Sequence, residues 1–267
     1  MNFLYSPKKS LGQNFLTDKN IIKKIIKIGN INKNKTILEI GPGYGNLTNY
    51  IIEKNPKKIF AIEKDKKLFL FLKNKFKNVD NFNVINEDIL NFIGKRFFSS
   101  GVTVLGNLPY NISTQILASL ILLPKWPPWY ETLILMFQKE VANRILAKTN
   151  SKEFGRLAVL CNWRLEIKKH FNISSNSFFP IPKVNSTILS FKPKRSFINL
   201  KNPYNLEMVT RILFSSRRKI IKKNLLKLFK NNISAVNELK IDLKKRPEEL
   251  SCETFYKIAV KYENLFG

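Results

Sequence analysis

The sequence predicts an α/β fold in which a parallel sheet is covered on both faces by helices and followed by a small all-helical domain. Short, fully apolar β runs alternate with helix-like stretches through the first two thirds of the chain. A sheet buried on both faces needs strands of that kind. Glycines cluster directly after the first of these runs, and no convincing strand is found beyond about residue 194. The 267 residues amount to about two domains at roughly 150 residues each. The expected division is 1–194 for the α/β domain with its N-terminal arm and 195–267 for the helical one.

Residues 1–18 read as a basic, irregular arm ending in Gly12-Gln13-Asn14-Phe15-Leu16. Thr17 or Asp18 offers an N-cap to a helix whose Ile21, Ile22, Ile25 and Ile26 share one face. Thr36–Ile40 is a β run followed by glycines, and Lys58–Glu63 is a second, followed by a helix carrying Leu68, Phe69, Leu72 and Phe76. Phe82–Ile85, Val102–Gly106 and Glu131–Phe137 continue the pattern. Arg164–Ile173 and Ser186–Phe191 alternate polar with apolar and are placed at one edge of the sheet. Helical periodicity returns over Tyr204–Phe214, Lys219–Phe229 and Cys252–Tyr262.

The charge balance is unusual, with 47 Lys+Arg against 19 Asp+Glu and a formal net charge of +28. Such a chain is drawn to polyanions. Residues 192–230 alone hold 12 Lys+Arg against one acid, Glu207. Two cysteines are too few for a disulfide framework or a cysteine zinc site, and the single histidine, His170, removes most metal and Ser–His–Asp chemistry. The longest apolar run, 116–124, is about half the ~20 residues of a membrane helix, and Met1–Lys9 contains no apolar signal-peptide core. The expectation is a cytoplasmic protein with no metal and no membrane partner, monomeric for want of a long apolar surface stripe.

Two constellations carry chemistry. Glu39-Ile40-Gly41-Pro42-Gly43-Tyr44-Gly45 lies between a strand and a helix, where Gly41 and Gly43 permit a tight turn and close approach of backbone to a ligand. Glu63 ends the next strand, 22 residues after Gly41, where a carboxylate accepts both ribose hydroxyls of a nucleoside. Asp88 follows the third strand and is placed to accept from an adenine amino group. The second constellation is Asn107-Leu108-Pro109-Tyr110, at the end of another strand. There the Asn107 side-chain oxygen and the Leu108 carbonyl can accept both hydrogens of an exocyclic amine. Pro109 fixes the backbone, and Tyr110 can stack on the ring that carries the amine.

Glu39–Thr48 (EIGPGYGNLT), Asn107–Thr114 (NLPYNIST) and Lys8–Leu16 (KKSLGQNFL) together resemble the ribosomal RNA adenine dimethyltransferases, most closely the bacterial small-subunit members. Phe137–Arg144 (FQKEVANR), Phe178–Ser186 (FFPIPKVNS), Phe214–Lys219 (FSSRRK) and Arg246–Ser251 (RPEELS) extend the resemblance from about residue 8 to about residue 260. The resemblance implies a Rossmann-like class I methyltransferase domain that uses S-adenosyl-L-methionine. It adds Asn14, Leu16 and Asn107 to the cofactor contacts. It also implies a substrate, two adjacent adenosines in a hairpin near the 3′ end of 16S RNA in the small ribosomal subunit. The target base must leave its stack to be reached. Tyr110 and one of Phe178 or Phe179 are the stacking candidates. Arg217, Arg218, Lys219, Lys222 and Lys223, read as covering a helix, are the candidates for RNA phosphates, with Lys8 and Lys9 beside the site. Tyr44 stands where the family usually has an aliphatic residue and is expected to crowd the cofactor edge. Two other readings suit the same motifs: a large-subunit adenine methylase of the macrolide-resistance type, and a non-catalytic assembly factor. His170 is expected on a strand surface, Cys161 and Cys252 in packing, and the tryptophans as core or loop anchors.

Overall fold

The computed structural model describes residues 6–8, 11–95 and 97–267. In chain order the elements are β1 (Phe15–Leu16), α1 (Lys19–Gly29), β2 (Thr36–Ile40), α2 (Asn46–Ile52), β3 (Lys58–Glu63), α3 (Lys66–Lys75), β4 (Phe82–Asn86), α4 (Ile89–Ile93), β5 (Val102–Asn107) and α5 (Ser113–Ile121). There follow β6 (Tyr130–Gln138), α6 (Lys139–Ile145), α7 (Arg156–Arg164), β7 (Leu165–Ile173), β8 (Phe178–Phe179), β9 (Ser186–Pro193), α8 (Tyr204–Leu213), α9 (Lys222–Leu228), α10 (Ile233–Asn237) and α11 (Cys252–Phe266).

Seven strands form one sheet in the order β4-β3-β2-β5-β6-β9-β7. The five from β4 to β6 pair in parallel, and β9 is antiparallel to β6. The expected edge for the two late strands is where they lie. The chain builds outward from β2 to β4 on one side and, starting from β5, to β6 on the other, so β2 and β5 flank a topological switch point. A crevice opens outside the strand carboxyl ends at such a point. Register decides what meets there. Ile40 pairs with both Ile62 and Gly106, so Gly41, Glu63 and Asn107 leave the sheet side by side.

The central strands are as buried as their composition demands: Ile37, Leu38, Ile59, Val104, Leu105 and Leu133 are fully enclosed. On α1, Ile22, Ile25 and Ile26 face the core. Asp18 caps that helix by accepting the N–H groups of Asn20 and Ile21, and Asn30 ends it in the left-handed conformation. Strand β1 has no signal in the sequence. Two residues carry no periodicity; they are a strand only because Phe15 and Leu16 pair with Phe179 and Phe178 of β8.

The chain divides into two compact units, one of residues 1–119, 127–142 and 167–193, the other of 120–126, 143–166 and 194–267. The second unit therefore holds more than the single cut at 194/195 assigned to it. Helix α7 explains why: Leu157–Cys161, Trp163 and Arg164 are buried around its whole circumference, so it needs helices about it. The Tyr256 hydroxyl of α11 donates to the Val159 carbonyl at 3.1 Å. Buried Arg164 gathers the 120–126 segment by donating to the carbonyls of Ile121 and Leu123 at 3.0 and 2.9 Å. Its guanidinium lies over the rings of Trp163, Trp126 and Phe197.

The helix expected over 219–229 begins only at Lys222, and Arg217–Lys219 form a turn. The N–H of Ile221 goes to the Lys245 carbonyl at 2.8 Å, which breaks the helical ladder there.

Candidate cofactor and base cleft

The switch-point crevice is a cleft of about 880 Å³, open to solvent. Its wall includes Asn14, Gly41, Gly43, Glu63, Asp88, Asn107, Leu108, Pro109 and Tyr110, so the two constellations and part of the arm meet in one place. Gly41 and Gly43 hold φ of 67° and 58°, the left-handed region that suits glycine. A Cβ on Gly43 would stand 2.7 Å from the Phe15 ring, so the turn also makes room for the arm. The buried Glu63 carboxylate accepts the Gly43 N–H at 3.2 Å and the Asp65 N–H at 2.9 Å. Burial outweighs these donors and pushes its pKa up to about 7. Asp88 caps α4 through the Leu90 N–H at 3.0 Å and pairs with Lys64 at 2.7 Å. The Lys64 ammonium holds its carboxyl below the usual range. Glu39, beneath the glycine turn, accepts the Thr48 hydroxyl at 2.6 Å, and burial pushes it up to about 7 as well.

The Asn107 amide is oriented by the arm. Its Nδ2 donates to the Asn14 carbonyl at 2.6 Å. A carbonyl can only accept, so the nitrogen must face Asn14 and Oδ1 is left as an acceptor. The arm is itself held by Asp65, whose buried carboxylate meets Lys8 Nζ at 2.8 Å and Gln13 Nε2 at 3.3 Å and caps α3 through the Lys67 N–H at 2.9 Å. Burial opposes ionisation of Asp65, but the Lys8 ammonium with the Lys67 and Gln13 donors keeps it below the ordinary range. Sequence reasoning missed Asp65 and Lys64; their one signal was position, directly after Glu63.

Tyr44 does not line the main cleft but borders the smaller cavity that adjoins it. It is buried, edge-on to Phe15 and Phe71 with ring centroids 4.8 and 5.5 Å away. The tyrosine completes an aromatic cluster under the arm. Leu16 lines the same smaller cavity, which shares Gly41 and Asn107 with the main one. The Tyr110 hydroxyl lies 2.7 Å from Ser186 Oγ. Phe178 is buried in the core at 2% exposure, whereas Phe179 is 43% exposed. Neither lines the cleft. Lys9 lies outside the described residues.

In the second unit Arg218, Lys219, Lys222 and Lys223 are exposed. Arg217 is engaged otherwise: it pairs with Glu248 at 2.8 Å and donates to the Lys152 carbonyl. On β7, His170 contacts Ser190 Oγ at 2.8 Å. Among the described residues no cluster of three or more metal-ligating side chains occurs, and no helix is long and apolar enough to cross a membrane.

The family model for ribosomal RNA adenine dimethylase matches residues 5–264. The chain belongs to the ribosomal RNA adenine dimethylase family. It is 46% identical over 260 residues to the Ribosomal RNA small subunit methyltransferase A of Pelagibacter ubique, covering 97% of this chain and 98% of the relative. Among solved structures it resembles a dimethyladenosine transferase from Plasmodium falciparum, with a TM-score of 0.76, 28% identity and coverage of 94% and 98% of the two chains. The 23S rRNA methyltransferase ErmE shares the fold at a TM-score of 0.65 and 21% identity, over 93% of this chain and 99% of that one.

As a ribosomal RNA adenine dimethylase the chain is an S-adenosylmethionine-dependent enzyme. The cleft residues fit that cofactor. Glu63 offers acceptors where a ribose presents two donors. Ile40, Ile62, Leu68 and Ile89 supply apolar wall for a purine ring. The left-handed glycine turn leaves space for a ligand against the backbone.

Proposed function

We propose that this enzyme dimethylates N6 of two adjacent adenosines in a hairpin near the 3′ end of small-subunit ribosomal RNA, as a monomer in the cytoplasm. The name of its Pelagibacter relative supports the choice of subunit. The observation that carries the chemistry is the Asn107 amide, turned by the Asn14 carbonyl so that its oxygen is the free acceptor in the cleft.

An exocyclic adenine amine is a poor nucleophile because its lone pair is delocalised into the ring. Asn107 Oδ1 and the Leu108 carbonyl accept its two hydrogens and favour a more pyramidal nitrogen. When bound, S-adenosylmethionine would supply the electrophilic methyl group, and the proton that the amine loses on methylation passes to solvent. Aligning the two reactants is worth up to ~7–11 kcal/mol of barrier. Tyr110, steadied by Ser186, stacks on one face of the extruded base. A second transfer to the same nitrogen requires that the site tolerate one N–H fewer, which a pair of independent acceptors does. Gly41, Gly43, Glu63 and Asp88 hold the cofactor, with Asn14 and Leu16 of the arm beside it. The helical unit brings Arg218, Lys219, Lys222 and Lys223 to RNA phosphates, which position the enzyme without reading sequence.

Radiolabelled S-adenosylmethionine offered with unmethylated small subunits, large subunits and free RNA tests the reading. Dimethyladenosine from small subunits is expected; label in large-subunit RNA, or none, overturns it. Asn107→Ala should abolish methyl transfer and leave particle binding nearly intact, and a parallel loss of binding would remove the amine-clamp role.

A further inference from the structure

One short loop, residues 179–185, holds out apolar side chains to which the methylation chemistry gives no task. Ile181 is 65% exposed and Val184 39%, whereas Phe178 and Ile188 on either side are almost completely buried. Lys183, between them, is exposed too. Both ends of the loop are fastened to the cleft wall. At one end Phe179 pairs with Phe15 of the arm. At the other, Ser186 holds the Tyr110 hydroxyl at 2.7 Å. Asn185 adds two anchors, its carbonyl accepting the Lys139 N–H at 2.9 Å and its side-chain oxygen the Ser175 N–H at 3.1 Å. Pro180 and Pro182 restrict the backbone between the anchors. The loop thus mounts an apolar tip at the rim of the cleft beside Tyr110.

This placement has a use on one kind of partner. The target adenosine must leave its stack to enter the cleft, and the step it leaves is then open. Apolar side chains inserted at a base step hold such a gap open. The occupant is RNA, not a protein: the chain carries a net charge of +28, and Lys183 stands among the apolar side chains where a phosphate flanks each base step. We infer that Ile181 and Val184 form a wedge that fills the stack beside the target adenosine, with Lys183 on the adjoining phosphate. The inference rests on the ribosomal RNA reading above and adds to it the means by which the base is kept extruded.

The test is the double variant Ile181→Ser/Val184→Ser. Both side chains are exposed, and an unchanged affinity for S-adenosylmethionine checks that the fold and the cleft are intact. The probe is a small subunit reconstituted with 2-aminopurine at the base next to the target adenosine, whose fluorescence rises when its stacking partner leaves. The wild type should raise that fluorescence and the variant should largely fail to. The variant's kcat/KM on unmethylated particles should fall by about tenfold or more. Unstacking and methylation at wild-type levels in the variant would overturn the wedge. So would weakened binding to whole particles with normal methylation of the isolated hairpin, which would assign the loop to a ribosomal protein. A wild type that makes no dimethyladenosine at all overturns the methylation reading itself, a result distinct from an active wild type matched by its variant.

Discussion

At the scale of single residues, the cleft holds groups in unusual states set by their surroundings. Glu63 is the plainest case. Burial pushes its pKa up to about 7, although the N–H groups of Gly43 and Asp65 oppose the shift. Its proposed task, accepting from two ribose hydroxyls, belongs to the ionised form. Affinity for S-adenosylmethionine should therefore strengthen as pH rises through about 7 and level off above it. Titration calorimetry across that range checks this, and Glu63→Gln should bind weakly with the pH dependence lost. The stability consequence has the opposite sign. A carboxyl whose folded pKa is raised binds its proton more tightly when folded. Between the ordinary 4.5 of a glutamate and about 7 the ligand-free protein should thus lose part of its stability as pH rises, with Glu39 contributing in the same window. Asn107 makes the complementary point. Its amide is committed at one end to the Asn14 carbonyl, a partner 93 residues away in sequence, which orients the oxygen for its proposed task.

At the scale of elements, the N-terminal arm is the part the fold had to build. A two-residue strand has no stability of its own. It persists because β8 pairs with it and because Thr17 donates to the Ser177 carbonyl through both its N–H, at 2.9 Å, and its hydroxyl, at 3.0 Å. Asp65 secures the segment before it. A hydrogen bond to a charged group contributes about 1.5–3 kcal/mol. Asp65→Asn keeps an oxygen for the α3 cap but loses the charge that draws Lys8. It should raise the KM for S-adenosylmethionine roughly tenfold and leave kcat within a small factor. A fall in kcat with unchanged KM would place Asp65 elsewhere in the mechanism. Stopped-flow binding and steady-state kinetics together separate the two. The arm was legible as a motif, but its attachment was not, because Lys8, Gln13 and Asp65 meet only after β3 and the arm have been brought to one end of the sheet.

At the scale of the whole molecule, a net charge of +28 makes association with ribosomal RNA strongly salt-dependent. Exposed lysines and arginines do not contribute equally. Arg217 is bound to Glu248 and to the Lys152 carbonyl, so its removal should cost stability of the helical unit more than RNA affinity. Replacing Arg218, Lys219, Lys222 and Lys223 by Ala should instead flatten the plot of log affinity against log salt. The slope should change by ~0.7–0.9 for each phosphate that is no longer neutralised. Filter binding to small subunits at several salt concentrations reads the slope directly, and an unchanged slope would take this turn and helix off the RNA surface. No similar ranking could be drawn from sequence, where all five cations look alike.

Sequence alone determined the α/β class, the alternation of buried strands with helices, and the candidates for the site. Those follow from local patterns: apolar runs, glycines where a backbone must turn, and acids or Asn-x-Pro-Tyr at strand ends. Tertiary structure decided which of those residues share a cavity. The register between β2, β3 and β5 sets Gly41, Glu63 and Asn107 abreast. It also decided that Tyr44 packs beneath the arm, that Phe178 belongs to the core, and that α7 joins the helical unit. The physical reason is the range of the forces involved. Backbone preference and periodicity act over a few residues, whereas packing and hydrogen bonds join positions such as Asn14 and Asn107 only once the sheet has set its strand order.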